Sequence, residues 1–293
     1  GAEDNVKAIA ESEIKVHRSF KSCNQSHPVT QLLSNGSLNM VCTVAGASLL
    51  KWNDMLVDRW SEDPIYEEGG EHIFIRNSEG DEVWDACGRG MAVSFDEDCA
   101  EYKRVDGFIK TSVKVCISPE NDTCVRELLL TNTGAEDVHL ELTGMHELCM
   151  TTSGAFNSHP AFSDMFIRTG FISDSKCLTA VRRKRENNIG MAVGYMILSD
   201  DIQQDEVEYE TDKYIFIGRT GTSENPVAIT ERHALGGSLG SVIEPVLALR
   251  KRIFVPSDAS VKVYFVTSVA ESEEELVRII KMLLCFQKRH ITI

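Results

Sequence analysis

Positive charge and long apolar runs are both scarce in this 293-residue chain. Its 30 Lys and Arg stand against 45 Asp and Glu, for a net charge of −15. A nucleic-acid partner is not expected, because a phosphate backbone is held by clustered cations. The one basic run, Arg182-Arg183-Lys184-Arg185, is short and isolated and reads as decoration of an exposed turn. No apolar stretch approaches the roughly 20 residues that cross a bilayer. Direct membrane insertion is therefore not expected, and the chain reads as soluble and cytoplasmic, although a larger polypeptide could carry a membrane tether elsewhere. Also lacking are a Cys-x-x-Cys spacing and any cluster of His and Cys at ligand spacing, so neither zinc nor another cofactor is expected. The nine cysteines are odd in number and several sit inside apolar strand patterns, which predicts reduced, largely buried thiols. Asn24, Asn35 and Asn121 begin glycosylation tripeptides, but no signal peptide precedes them.

Helical periodicity is scarce as well, and strands with turns between them take its place. Residues 1–27 are polar, with a thin apolar stripe over Val6 to Val16, and read as a lead-in. Residues 28–270 read as one β domain. Leu38, Met40, Cys42 and Val44 alternate with Asn39, Val41 and Thr43, a half-buried strand. Glu71 to Arg76 and Glu82-Val83-Trp84 flank turn chemistry and predict a hairpin. Ile109, Thr111, Val113, Val115 and Ile117 share one face of the clearest strand. With Val125 to Thr131 and Val138 to Leu148 it predicts a three-stranded antiparallel meander. Ile189 to Leu198, Tyr214 to Ile217, Ile243 to Val255 and Val261 to Val269 are further strand candidates. So many short strands imply two packed antiparallel sheets.

The end of the chain, 271–293, differs. Ser272 with Glu275 forms a capping-box pattern, and Leu276, Ile279, Ile280, Leu283 and Leu284 follow at helical spacing.

The stretch from Gln31 to Pro64 carries the densest functional signal. Trp52, Asp54, Asp58, Arg59 and Trp60 fall within nine residues on a segment that reads as too irregular for ordinary core. Flat apolar faces beside forked hydrogen-bonding groups suit a sugar ring. The plainer alternative is a core Trp with a solvated Arg ion pair. A second constellation is His159-Pro160-Ala161-Phe162, followed by Asp164, Phe166 and Arg168. It is either a structured loop or part of a saccharide-binding rim. Gly236-Gly237-Ser238-Leu239-Gly240 is not read as a phosphate cradle, since no Lys-Ser/Thr and no helix follow it.

LLSNGSLNMV and KWNDMLVDRWSEDP, SHPAFSDMFIRT (Ser158 to Thr169), and the block from Gly237 to Glu275 together resemble, in order, the amino-terminal β-sandwich of glycoside hydrolase family 94, formerly glycosyltransferase family 36. That family includes cellobiose and chitobiose phosphorylases and the phosphorylase-like part of cyclic β-1,2-glucan synthases. The resemblance implies an all-β, large antiparallel two-sheet supersandwich of galactose-mutarotase-like type, with a C-terminal linker helix leading toward an (α/α)₆ barrel that this chain does not contain. Without that barrel, the helix would expose an apolar stripe. It also implies a module that is not itself catalytic, binding a β-glucan oligosaccharide and contacting its barrel or a second subunit. The reaction of the larger enzyme is inverting phosphorolysis with inorganic phosphate as co-substrate, its acid residing in the barrel. Trp52, Asp54, Arg59, Trp60, His159 and Phe162 are the expected saccharide contacts. The rival reading is a mutarotase-like epimerase using His146 with Glu147, or His139 with Glu141, as acid and base. Alternation instead puts His139 and Glu141 on a polar outer face, opposite Val138, Leu140 and Leu142.

Overall fold

In the computed structural model of the protein, the described residues are 17–22, 25, 27–59, 69–88, 92–158, 166–183, 190–199 and 206–288. The possible helix over Val6 to Val16 lies outside them. The chain forms two antiparallel sheets facing each other across one core.

The first sheet has ten strands, ordered β1 (Arg18–Phe20), β8 (Ala92–Phe95), β9 (Cys99–Asp106), β10 (Ile109–Ile117), β11 (Thr123–Asn132), β19 (Ala259–Ala270), β15 (Met191–Ser199), β14 (Cys177–Arg182), β13 (Ile167–Ile172) and β17 (Gly240–Ser241). The second runs β16 (Glu208–Asp212), β18 (Pro245–Val255), β12 (Val138–Thr152), β5 (Met55–Asp58), β4 (Ser48–Trp52), β3 (Leu38–Thr43) and β2 (Thr30–Ser34), with β6 (Glu71–Asn77) also on β12 and β7 (Val83–Asp85) on β6. β1 falls within the stretch read as a lead-in. Its Arg18, Ser19 and Phe20 pair with β8, and the Phe20 ring meets Phe95 edge-on.

The expected alternation holds where it was clearest. Leu38, Met40 and Cys42 are core, as are Ile109, Val113 and Val115. The β6–β7 hairpin forms as expected. The predicted meander does not. β10 and β11 are neighbours, but β12 crosses to the other sheet and pairs with β18 on one side and with β6, then β5, on the other. Alternation assigns a strand's faces but not its neighbours. The crossing is a sharp corner after β11, and the later corner from β18 to β19 lies against it, since β19 pairs with β11 and β18 with β12. Buried Asn132 joins the two corners by donating from Nδ2 to the Val255 carbonyl at 3.3 Å.

From Ser48 to Asp58 the chain is likewise regular where the sequence suggested irregularity. β4 and β5 make a tight hairpin turning at Asn53, which takes φ 51°, and Asp54. Asn is one of the few residues that accept that backbone readily. Tyr214 to Ile217 is a second departure. Lys213–Phe216 is a short helix, and its first turn is capped by Asp212, whose carboxylate accepts from the Tyr214 N–H.

The terminal helix, Glu273–Lys288, starts as expected, with the Ser272 hydroxyl accepting from the Glu275 N–H at 3.2 Å. Its apolar stripe is not left exposed. Leu276, Ile279, Ile280 and Leu283 pack on the outer face of the first sheet against Ala192, Met196, Leu198, Val266 and Ala270. β15 is buried on both faces, so it needs a cover on each side, and the helix supplies the outer one.

Candidate functional site

Among the described residues, three layers of polar side chains gather on β6, β12 and the elements beside them. The innermost is an ionic cluster sealed between the sheets. Asp58 at the end of β5, Glu71 on β6, Arg126 on β11 and His146 on β12 all point inward and are almost wholly buried. His146 Nδ1 donates to Asp58 Oδ1 at 2.6 Å, and its Nε2 lies 3.0 Å from the Thr267 hydroxyl and 3.5 Å from Glu71 Oε2. Arg126 Nε is 2.8 Å from Glu71 Oε2, and the Tyr195 hydroxyl donates to Glu71 Oε1 at 2.5 Å. Tyr195 reaches that far because β12 carries Gly144 opposite it. A Cβ at that position would lie 2.0 Å from the tyrosine oxygen.

Two anions and two cations are thus enclosed in apolar surroundings, where each charge is costly unless it is matched. Burial alone would discharge His146, but the carboxylates of Asp58 and Glu71 outweigh it and push its pKa up to about 10. Burial likewise opposes the Glu71 anion. The charges of Arg126 and His146 prevail and hold its carboxyl below the usual range.

On the outer face of the same sheet a second layer fastens the segment 213–235. Phe216, Ile217, Ala228 and Ile229 pack on Phe74, Met145, Val246 and Ala248. Arg250 donates to Thr143 Oγ1, to the His233 carbonyl and to the Ala228 carbonyl, and lies 3.4 Å from Glu141. Glu147 Oε2 lies 2.9 Å from Lys213 Nζ and 3.6 Å from Arg59, and its other oxygen accepts from the Ser223 hydroxyl. Burial raises the Glu147 pKa, but Lys213, Ser223 and Arg59 more than compensate and lower it.

The third layer is a half-open cleft of about 300 Å³ where this face meets the turns at 45–47, 85–88 and 224–225. His72, Asp85, Cys87, Arg104, Glu224 and Asn225 are among its walls. His72 Nδ1 pairs with Asp85 Oδ2 at 2.8 Å, while Nε2 is buried without a partner among the described residues. The other Asp85 oxygen accepts from the Cys87 N–H at 2.9 Å. Arg104 donates twice to Asp106, at 2.6 Å each, and once to the Asp85 carbonyl. Burial works against the His72 cation, but the bond to Asp85 and its charge raise the pKa overall. Gly46 shapes the cleft wall. At φ +96° its Cβ position would lie 1.5 Å from the Cys87 carbonyl oxygen, so the two turns touch only because no side chain intervenes. β6 links the layers, because adjacent residues face opposite ways: Glu71 enters the core and His72 the cleft.

Of the expected saccharide contacts, the three that are described, Trp52, Asp54 and Arg59, have three different surroundings. Trp52 is only 3% exposed; its ring packs in the core and its Nε1 donates to Asp122 Oδ2 at 2.7 Å. Asp122 also accepts from Asn35 and Ser37, so this indole ties the two sheets together and offers no open face for a sugar. Asp54 is an exposed turn residue. Arg59 sits in the outer ion cluster. Trp60, His159 and Phe162 lie outside the described residues. The His146–Glu147 pairing does not form. His146 is enclosed in the core and Glu147 faces the opposite side, as neighbours on a strand must. His139 and Glu141 do share the outer face, where His139 meets the Phe254 ring and Glu141 contacts Arg76, Arg250 and Arg252. All eight described cysteines are free thiols, six of them buried. Burial pushes Cys87 and Cys177 up to about 12.

Two large antiparallel sheets packed face to face across one core make the architecture an all-β supersandwich. The chain belongs to the glycosyl hydrolase 94 supersandwich domain family, whose model matches residues 13–284. It is 30% identical over 259 residues to the cyclic β-(1,2)-glucan synthase NdvB of Rhizobium meliloti (strain 1021), covering 86% of this chain and 9% of that protein. The chain therefore spans about a tenth of that relative's length. Among solved structures it is similar to a polysaccharide lyase, at 13% identity and a TM-score of 0.46 over 85% of this chain and 33% of the lyase. It is also similar to a galactose mutarotase related enzyme from Lactobacillus acidophilus, at 9% identity and a TM-score of 0.44 over 83% and 97% of the two chains.

Proposed function

We propose that this domain is a non-catalytic scaffold and saccharide-contacting module of a larger glucan-processing enzyme, a β-glucan phosphorylase or a cyclic β-1,2-glucan synthase. In that enzyme its partners are a glucan oligosaccharide and an (α/α)₆ barrel, or a second subunit, and inorganic phosphate is the co-substrate of the reaction. The observation that carries the reading is that Glu71 and Glu147, the glutamates flanking His146, are each engaged at close range by a cation, Arg126 and Lys213. Cleaving a glycosidic bond takes a carboxyl held protonated, with its pKa raised. Glu71 and Glu147 are both lowered, because each is matched by cations that bind strands or segments together. These side chains maintain a platform. The family membership and the similarity to a cyclic glucan synthase support a glucan as the substrate class.

Titration of the 293-residue chain with β-1,2-gluco-oligosaccharides, followed by calorimetry and NMR shifts, is expected to show millimolar or tighter binding. Incubation with the same sugars and phosphate should release no glucose 1-phosphate. Turnover by this chain would overturn the scaffold assignment, and absence of binding would remove the saccharide contact.

A further inference from the structure

The cleft beside β6 has features that holding a sandwich together does not require. Its volume of about 300 Å³ is at the lower end of the range for small-molecule sites, which is about 300–1,000 Å³. His72 is only 9% exposed, one ring nitrogen is fixed by Asp85, and the other is buried with its hydrogen-bonding capacity unused. Such a group costs stability and calls for an explanation, of which a partner arriving from outside is one. Across the cleft stand Glu224 and Asn225, both exposed on a loop held by backbone bonds between Thr222 and Asn225.

The charges narrow the ligand. Arg104 is already neutralised by two bonds to Asp106, and Asp85 and Glu224 add negative charge, so among the described residues the cleft has no surplus of cations to hold a phosphate. No group of three or more His, Cys, Asp or Glu among the described residues could hold a metal ion. What remains is an uncharged ligand rich in hydroxyls, which can both donate to carboxylates and exchange hydrogen bonds with an imidazole and an amide.

Building on the saccharide-contacting reading above, we propose that this cleft is the subsite for one neutral sugar unit of a glucan, with His72 Nε2, Glu224 and Asn225 as its hydroxyl partners. The residues at 45–47 and 88 form walls of backbone and small side chains that let the ring approach closely.

The test uses the 293-residue chain labelled with nitrogen-15, observing the His72 ring while a β-1,2-gluco-oligosaccharide or inorganic phosphate is added. The sugar is expected to shift the Nε2 resonance, and phosphate to leave it in place. A double variant, Glu224→Ala with Asn225→Ala, changes two exposed side chains and should keep the wild-type circular dichroism while binding the sugar about tenfold more weakly. If the sugar binds with undiminished affinity to that variant and His72 does not respond, the cleft assignment is overturned and the saccharide-contacting reading stands on another surface. If the wild-type chain binds no sugar, both fail. A response to phosphate without one to sugar would overturn the neutral-ligand assignment.

Discussion

His146 lies in the core between two carboxylates, those of Asp58 and Glu71. Its cationic form is stabilised by Asp58 and Glu71, so its pKa in the folded state, about 10, exceeds the unfolded value near 6.5. The stability this gives is complete below that unfolded value and is lost as pH rises toward about 10, by up to about 1.4 kcal/mol per unit. Glu71 behaves in the opposite sense. Its lowered pKa contributes stability above its unfolded value, and that contribution is lost in acid. Urea unfolding of the wild type and His146→Gln, compared between about pH 6 and pH 10, should show the wild-type advantage shrinking as pH rises. A constant difference would mean that His146 is neutral in the folded protein. The cluster also shows what was illegible in the sequence. Asp58, Glu71, Arg126 and His146 are far apart along the chain, and nothing in their local patterns announces that they meet. The one available signal was β6 itself, Glu71-His72-Ile73-Phe74-Ile75-Arg76, where ionisable residues bracket an apolar run instead of alternating with it. Trp52 and Arg59 drew notice through composition, and the fold uses both as ties. Composition reports which groups are present, while exposure depends on what packs above them.

Among the elements, the terminal helix shows most clearly how local signals can be right and their context missing. Its cap and stripe were legible because both are written within one turn of each other. The surface it covers was not, since that surface comes from β15 and β19, which are distant in sequence. Gly194 marks the fit: a Cβ there would approach Leu276 Cδ1 to 3.1 Å and Ile280 Cδ1 to 3.4 Å. Ile280→Ala should therefore cost about 2–4 kcal/mol, measured as a fall in the urea midpoint. A cost below about 0.5 kcal/mol, within the range of surface substitutions, would show the helix to be loosely attached. β12 was likewise legible as a strand and not as the hub of the second sheet. It changes partners from β6 to β5 between His146 and Leu148, and the β5 pairing then breaks register between Leu148 and Thr151, where Met150 takes φ 51°. A bulge of that kind leaves too weak a pattern in sequence to be read in advance.

For the whole molecule, the sheet class and much of the strand inventory followed from alternation and turn residues, while the order of strands did not. Two readings of one stretch can share every face assignment and still differ in partner, as β10, β11 and β12 did. The family resemblance supplied the architecture that periodicity could not. Residue composition drew the expected saccharide contacts to the stretch around Trp52, whereas the proposed cleft joins His72, Asp85, Glu224 and Asn225, which come together only when β6, β7 and the loop before Pro226 are assembled.

The paired corners have a bearing on how the chain reaches this state. β18 and β19 lie near the end of the sequence yet occupy interior positions, one in each sheet, beside strands about 100 residues or more earlier. A ribosome would deliver most of the earlier strands with the places beside β11 and β12 still empty, and such non-local closure is slow. Polypeptide ending near residue 240 is accordingly expected to collect in inclusion bodies or on chaperones, where its open edges are shielded, until the last two strands arrive and close both halves at once. Arrest-peptide force measurements during translation should show a single late folding event after β19 has cleared the exit tunnel; an early one would point to a half that matures independently.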